Sequence, residues 1–212
     1  MNPAYNPDAK KMMMLQKMDQ IVPKRSSGFF GSVHFRPTFT FEGQNRNEKV
    51  YIMARRHWLT NTGWLINNFL YLMVPVIAAL LLGVFNANLP ELNRQAYAVI
   101  VLAYYSFVFT NIFKNFIDWY YDIYFVTNEK VMDVIFKPFA SYQVEEIALT
   151  SIESVREKTP GVLAALFNFG NITITTEAND RTMVFPYISK PTKVRDIISD
   201  LAFVARSFNN GN

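Results

Sequence analysis

Two long uncharged stretches, separated by one short polar segment, constrain this chain more than anything else in it. Gly63 to Phe85 (GWLINNFLYLMVPVIAALLLGVF) is 23 residues without a charge, and Gln95 to Phe113 (QAYAVIVLAYYSFVFTNIF) is a second run of 19. At a rise of about 1.5 Å per residue, each is long enough as a helix to cross a hydrocarbon core of roughly 30 Å. The segment between them, Asn86 to Arg94, carries a Pro, three Asn and one charge of each sign, which suits a turn in water. Backbone amides in lipid have no partner except one another, so each span is expected to be helical. The alternative is a pair of buried helices in a soluble core, but such cores seldom place two runs of this length back to back. A transmembrane α-helical hairpin is the expectation.

Charge is distributed unevenly around that hairpin. Residues 1–62 hold ten Lys/Arg against four Asp/Glu, residues 114–212 hold ten against twelve, and the hairpin contributes only Glu91 and Arg94. Lys49, Arg55, Arg56 and Lys114 flank the apolar runs on the outside, against Arg94 alone in the connection. By the positive-inside rule both termini are expected in the cytoplasm, with the protein a multi-pass resident of the cytoplasmic membrane. Aromatic residues crowd the ends of the runs (Trp58, Trp64, Tyr71, Tyr104, Tyr105, Trp119, Tyr120, Tyr121), as in an interfacial belt. No apolar core with a small-residue cleavage site opens the chain, so a secretory signal is not expected. The basic pI comes without a basic stripe or a nucleic-acid-binding motif, and nucleic acid is not expected as a partner.

Three domains are expected: a basic arm over residues 1–62, the hairpin over 63–113, and a globular domain over 114–212. In the arm, Asn6 can cap a short helix with Pro7 in its first turn, and Pro23 stops it. Met14, Met18 and Ile21 give that helix an apolar stripe beside Lys10, Lys11 and Lys17, which suits a membrane surface, a partner groove or a frayed tail. From Lys24 to Asn47 the sequence reads as a linker, with one extended piece at Thr38 to Phe41. The stretch Glu48 to Trp58 leads into the hairpin. Its Arg55-Arg56-His57-Trp58 cluster has the composition of a headgroup anchor, or simply of basic residues that hold the loop inside. Arg55, Arg56, Trp58 and Lys114 are the candidate lipid-headgroup contacts.

Beyond the hairpin the periodicity changes from helical to alternating. Trp119 to Thr127 and Lys130 to Phe136 alternate about Asn128-Glu129, which predicts a β-hairpin. Extended runs follow at Tyr142 to Leu149, Ser151 to Lys158, Asn171 to Thr176 and Thr182 to Ile188, with a turn at Ala178 to Asp180. After Pro191, the residues Val194, Ile197, Ile198, Leu201, Ala202, Ala205 and Phe208 mark one apolar helix face. That face must be covered, and the open end of the preceding sheet is the nearest cover.

Catalytic apparatus is not evident. With no cysteine, thiolate nucleophiles, disulfides and thiolate metal sites are excluded. His34 and His57 stand alone, without the companion ligands of a metal site. Neither a nucleophile elbow nor a phosphate-binding glycine loop occurs. Glu145 and Glu146 would face opposite sides of a strand, so they cannot act together on one bond. Inside the spans, Asn67, Asn68, Ser106 and Thr110 are expected to serve helix contacts, and no ionisable residue marks an ion path. No enzyme activity and no cofactor are expected.

The residues also carry a family likeness. FEGQNRNEKV at Phe41 to Val50, the RRHW entry to the hairpin, WYYDIYFVTNEKVMD at Trp119 to Asp133, EIALTSIESV at Glu146 to Val155 and FNFGNITITT at Phe167 to Thr176 occur in the order found in bacterial PH-domain membrane proteins of the YdbS-like group, which this chain resembles. The resemblance spans Phe41 to about Phe208. It implies a PH-like fold: two near-orthogonal antiparallel sheets forming a partly open barrel or sandwich, capped by the C-terminal α-helix. Lys137 to Ser141 departs from the pattern, since a Gly is usual there. Eukaryotic PH domains that bind phosphoinositides have a longer basic loop between their first two strands, and here that place holds Asn128-Glu129 with only Lys130 nearby. The expected function is a membrane-tethered interaction or assembly module, partnered by the lipid bilayer and by a membrane or cytoplasmic protein or further copies of itself. An anionic-lipid sensor acting through the arm or the PH-like domain is the alternative.

Overall fold

The computed structural model describes residues 7–24, 32–38, 44–45, 47–84, 93–137, 141–177 and 181–209. The capping Asn6, the extended piece beyond Thr38, most of the Asn86 to Arg94 connection, the turn centred on Pro138 to Ala140 and the turn at Ala178 to Asp180 lie outside them. The chain forms two compact units, one made of residues 1–57 with 121–212 and the other of residues 58–120.

The first unit contains two antiparallel sheets. One orders its strands β1 (Val33–Phe35), β2 (Val50–Arg55), β3 (Ile123–Thr127), β4 (Lys130–Lys137) and β5 (Ser141–Ala148). The other orders β6 (Ile152–Lys158), β7 (Phe169–Thr176) and β8 (Thr182–Ser189). β3 and β4 meet as the alternation predicts, with Phe125 opposite Met132. β2 pairs with β3 so that Arg55 faces Ile123. The whole second unit is therefore inserted between two hydrogen-bonded strands, and the segment expected as an arm supplies two strands of the sheet. A bulge between Val50 and Ile52 lets the adjacent residues Tyr51 and Ile52 both enter the core.

The closing helix follows the sequence pattern closely. Here called α5 (Pro191–Asn209), it buries Val194, Ile197, Ile198, Leu201, Ala202 and Ala205 against Ile152, Ile172, Ile174 and Phe185 of the second sheet and Ile52 and Tyr124 of the first. Tyr124 and Phe185 touch across the sheets with ring centroids 4.4 Å apart. Gly170 allows β7 to pass close under the start of this helix: a Cβ there would stand 3.0 Å from the Lys158 carbonyl oxygen and 3.1 Å from Pro191, tighter than ordinary contact.

The N-terminal helix α1 (Pro7–Ile21) is docked on this unit. Met18 and Val22 are core residues, and Met14, Ile21 and Phe208 pack beside them. Its C-terminal carbonyls are held by Arg36, whose guanidinium donates to Asp19 and, at 2.8 Å, to the Val22 carbonyl. Tyr51 donates its hydroxyl to the Asp19 carboxylate at 3.0 Å, and Lys49 pairs with the same carboxylate at 3.3 Å. The stripe of Met14, Met18 and Ile21 thus belongs to a packed helix.

In the second unit, a short 3-10 turn at Trp58–Asn61 leads into α2 (Thr62–Val84), and α3 runs from Arg94 to Tyr120. The strand expected from Trp119 begins only at Ile123. Residues 116–120 continue the helix, where Phe116 stacks with Tyr120 and meets Trp119 at a tilt, at the four- and three-residue spacing of helix neighbours. Asn68 and Thr110 bond back to carbonyls four residues earlier on their own helices, each at 2.8 Å. The bonds between helices come instead from Tyr104 to the Tyr71 carbonyl at 2.8 Å and from Tyr105 to the Leu72 carbonyl at 3.4 Å. Leu70, Leu80, Val99, Leu102, Phe107 and Phe109 point outward, the reverse of a soluble core helix. Length, composition and this exposure give two candidate membrane spans.

Candidate functional site

In the first unit, β5 pairs only with β4 and β8 only with β7, so both are edge strands. Between them lies a cleft of about 440 Å³, lined by Val144 to Ile147 of β5 and by Arg181, Thr182 and Met183 at the start of β8. A neighbouring hollow of about 380 Å³ shares Glu146, Ile147 and Arg181 and adds Ser151, Thr176 and Glu177. The end of the cleft is pinned by backbone: Thr176 N–H donates to the Arg181 carbonyl at 3.2 Å, and Glu177 N–H to the Ser151 carbonyl at 3.1 Å. Carboxylates predominate, with Glu145, Glu146 and Glu177 against Arg181. Lys130 reaches Glu146 at 2.7 Å, and that hydrogen bond raises the lysine pKa above its ordinary value. Glu145 and Glu146 do alternate along the strand, Glu145 opposite Asp133 and Glu146 opposite Met132.

Glu145 connects the cleft to a buried charge cluster. Ala54, Tyr124, Asp133 and Glu145 lie side by side across four strands, hence on one face of the sheet. Asp122, two residues before Tyr124, is buried and pairs with Arg56 at 2.5 Å. Burial, then repulsion from Asp122 and Glu145, pushes the Asp133 carboxyl up to about 7, with Arg56 pulling the other way. Burial likewise carries the Tyr124 phenol well above its usual range. Beside this cluster, His57 stacks on Phe169 at 4.9 Å and donates its backbone N–H to the Tyr187 carbonyl at 2.7 Å. Burial lowers the His57 pKa, disfavouring the charged ring.

The four candidate headgroup contacts fall in both units. Arg55 and Arg56 lie at the end of β2 in the first unit, where the Arg55 backbone N–H donates to the Ser32 carbonyl and the Arg56 side chain holds Asp122. Trp58 opens the 3-10 turn and is exposed, and Lys114 is exposed on α3, both in the second unit. Among the described residues, no group of three His, Cys, Asp or Glu side chains is arranged to hold a metal ion. The cleft itself was not legible in the sequence, because nothing in a strand's composition says whether it lies at an edge. The Asp122–Arg56–Asp133 cluster was equally hidden, since its members are distant in the chain and meet only through strand register. No protein-family model, curated protein or solved structure matches this chain.

Proposed function

We propose that the chain is a membrane-anchored, non-catalytic interaction module: a PH-like domain, interrupted after its strand β2 by a transmembrane hairpin, that takes up an extended segment of a protein partner along β5. The cleft between the edge strands β5 and β8 carries this reading. An added strand would take main-chain hydrogen bonds from the β5 edge and place alternate side chains in the cleft. Glu145, Glu146 and Glu177 outnumber Arg181 there, which favours a partner segment bearing Lys or Arg.

The PH-like assignment is supported by two antiparallel sheets in chain order followed by a helix whose apolar face fills the space between them. The outward apolar side chains of α2 and α3 support the anchor, and the basic flanks support a cytoplasmic location for the domain. A photo-crosslinking residue at Val144, which is exposed on β5, tests the reading in the full chain in native membranes. It should form protein adducts that disappear when Glu145 and Glu146 are both changed to Lys, whereas the same probe at the exposed Phe203 of α5 should not. Lipid adducts alone from Val144, or equal protein adducts from Phe203, would contradict it.

A further inference from the structure

The loop between β6 and β7 carries a short helix, α4 (Gly161–Leu166), that presents apolar side chains to solvent. Val162 is 84% exposed, Leu163 63%, Leu166 72% and Phe167 44%, while Ala164 is fully buried and fixes the turn to the unit. Four neighbouring apolar residues held open in this way by a buried alanine are not explained by the core. Tyr187 extends the patch, since it is exposed and its ring lies 6.1 Å from that of Phe169.

The patch lies close to where the chain leaves the first unit. Three residues after α4 ends, Phe169 stacks on His57, the last residue of the unit before the chain departs into residues 58–120. Arg56 bridges to Ile188 on the neighbouring strand, and Arg55 faces Ile123, where the chain returns. The apolar turn therefore lies at the end of the first unit where both connections to the apolar helices are made. Two exposed lysines flank it: Lys158 closes β6, and Lys190 donates its backbone N–H to the Asn168 carbonyl. Apolar side chains rimmed by lysine match the acyl–headgroup boundary of an anionic bilayer.

We infer that α4 is a membrane foot: Val162, Leu163, Leu166 and Phe167 enter the bilayer surface, with Lys158 and Lys190 at the level of the headgroups. The inference rests on the hairpin spanning the membrane. It adds a second attachment, which holds the domain at one orientation on the surface.

The chain has no cysteine, so single cysteines can be labelled with an environment-sensitive fluorophore in the full-length protein. The protein is reconstituted in vesicles of phosphatidylcholine and phosphatidylglycerol, with and without a lipid bearing a doxyl quencher near the headgroup end of its acyl chain. A label at Leu166→Cys should emit to the blue and lose most of its intensity to the quencher, a label at Leu80→Cys in α2 should report burial in lipid, and one at Phe203→Cys should do neither. Burial at position 80 without quenching at 166 would overturn the foot and leave the anchor standing. A blue shift at 166 that depends on protein density and not on the quencher would assign the patch to a second copy and likewise overturn it. Water-like emission at both positions would overturn the anchor and the foot together.

Discussion

The hydroxyl of Tyr104 donates a 2.8 Å hydrogen bond to the carbonyl oxygen of Tyr71, the acceptor that Pro75 leaves open four residues further along α2. Proline has no N–H to close that turn, so the carbonyl would otherwise be unsatisfied in an apolar setting. Tyr104→Phe should weaken the association of α2 and α3 by about 0.6 to 2 kcal/mol, the usual range for such bonds in lipid. In a Pro75→Ala background the loss should shrink, because alanine at that position supplies the missing donor. A double-mutant cycle on unfolding in lipid or detergent measures both, and an unchanged cost in the alanine background would refute the pairing of cause and effect.

Asp133 gives the first unit an unusual pH dependence. Its carboxyl is raised from 3.8 to about 7, so the folded state binds the proton more tightly than the unfolded chain. The resulting stability is fully present below about pH 4 and is lost as pH rises through 7, at a cost on the order of a few kcal/mol. Asp133→Asn should remove this slope and make the unit more stable above pH 7. Thermal unfolding across that range is the measurement. Arg56→Gln should move the slope to higher pH, since the Arg56 charge is what draws the Asp133 pKa down.

Because β2 pairs directly with β3, the first unit should fold without the hairpin. Arg55 faces Ile123, so residues 1–57 can be joined to 121–212 by a short glycine-rich linker. That fusion should be soluble and unfold cooperatively, whereas residues 121–212 alone lack α1, β1 and β2 and should not. Within the fusion, Met18→Ala should cost about 2 to 5 kcal/mol, as for other fully buried large side chains. A loss near zero on urea unfolding would show α1 to be undocked.

Leu201 is fully buried on the inner face of α5. Leu201→Asp places an unpaired carboxylate in the core at a cost of several kcal/mol, comparable with the whole stability of a small domain. The fusion carrying it should show no cooperative transition. Phe203→Asp, two residues away on the exposed side, should leave the transition within about 1 kcal/mol. Equal effects from the two changes would contradict the assigned face.

The parts of this fold that show in the sequence are those written in a local period. The two uncharged runs, the alternating strands from Lys130 onward and the apolar face of α5 from Val194 to Phe208 all rest on spacing within one segment. What is written across the chain does not show. Glu48 to Trp58 reads as an approach to the hairpin because its pairing partner, Ile123 to Thr127, comes only after the second unit. The cluster of Arg56, Asp122 and Asp133 has the same cause. Helix α4 escaped for a different reason: GVLAAL is too short for periodicity, and exposed apolar residues look like core residues until the core is seen.

Above all, α2 and α3 should cross a membrane and leave the domain on the cytoplasmic side. Single cysteines at Asn88, between the spans, and at Ser207, on α5, test this in intact cells with a membrane-impermeant thiol reagent, followed by lysis and a second labelling to confirm that each thiol is reactive. The expected result is labelling of Asn88→Cys from outside and of Ser207→Cys only after lysis. Labelling of Ser207→Cys from outside with Asn88→Cys protected would reverse the orientation, and protection of both until lysis would contradict a membrane-crossing hairpin.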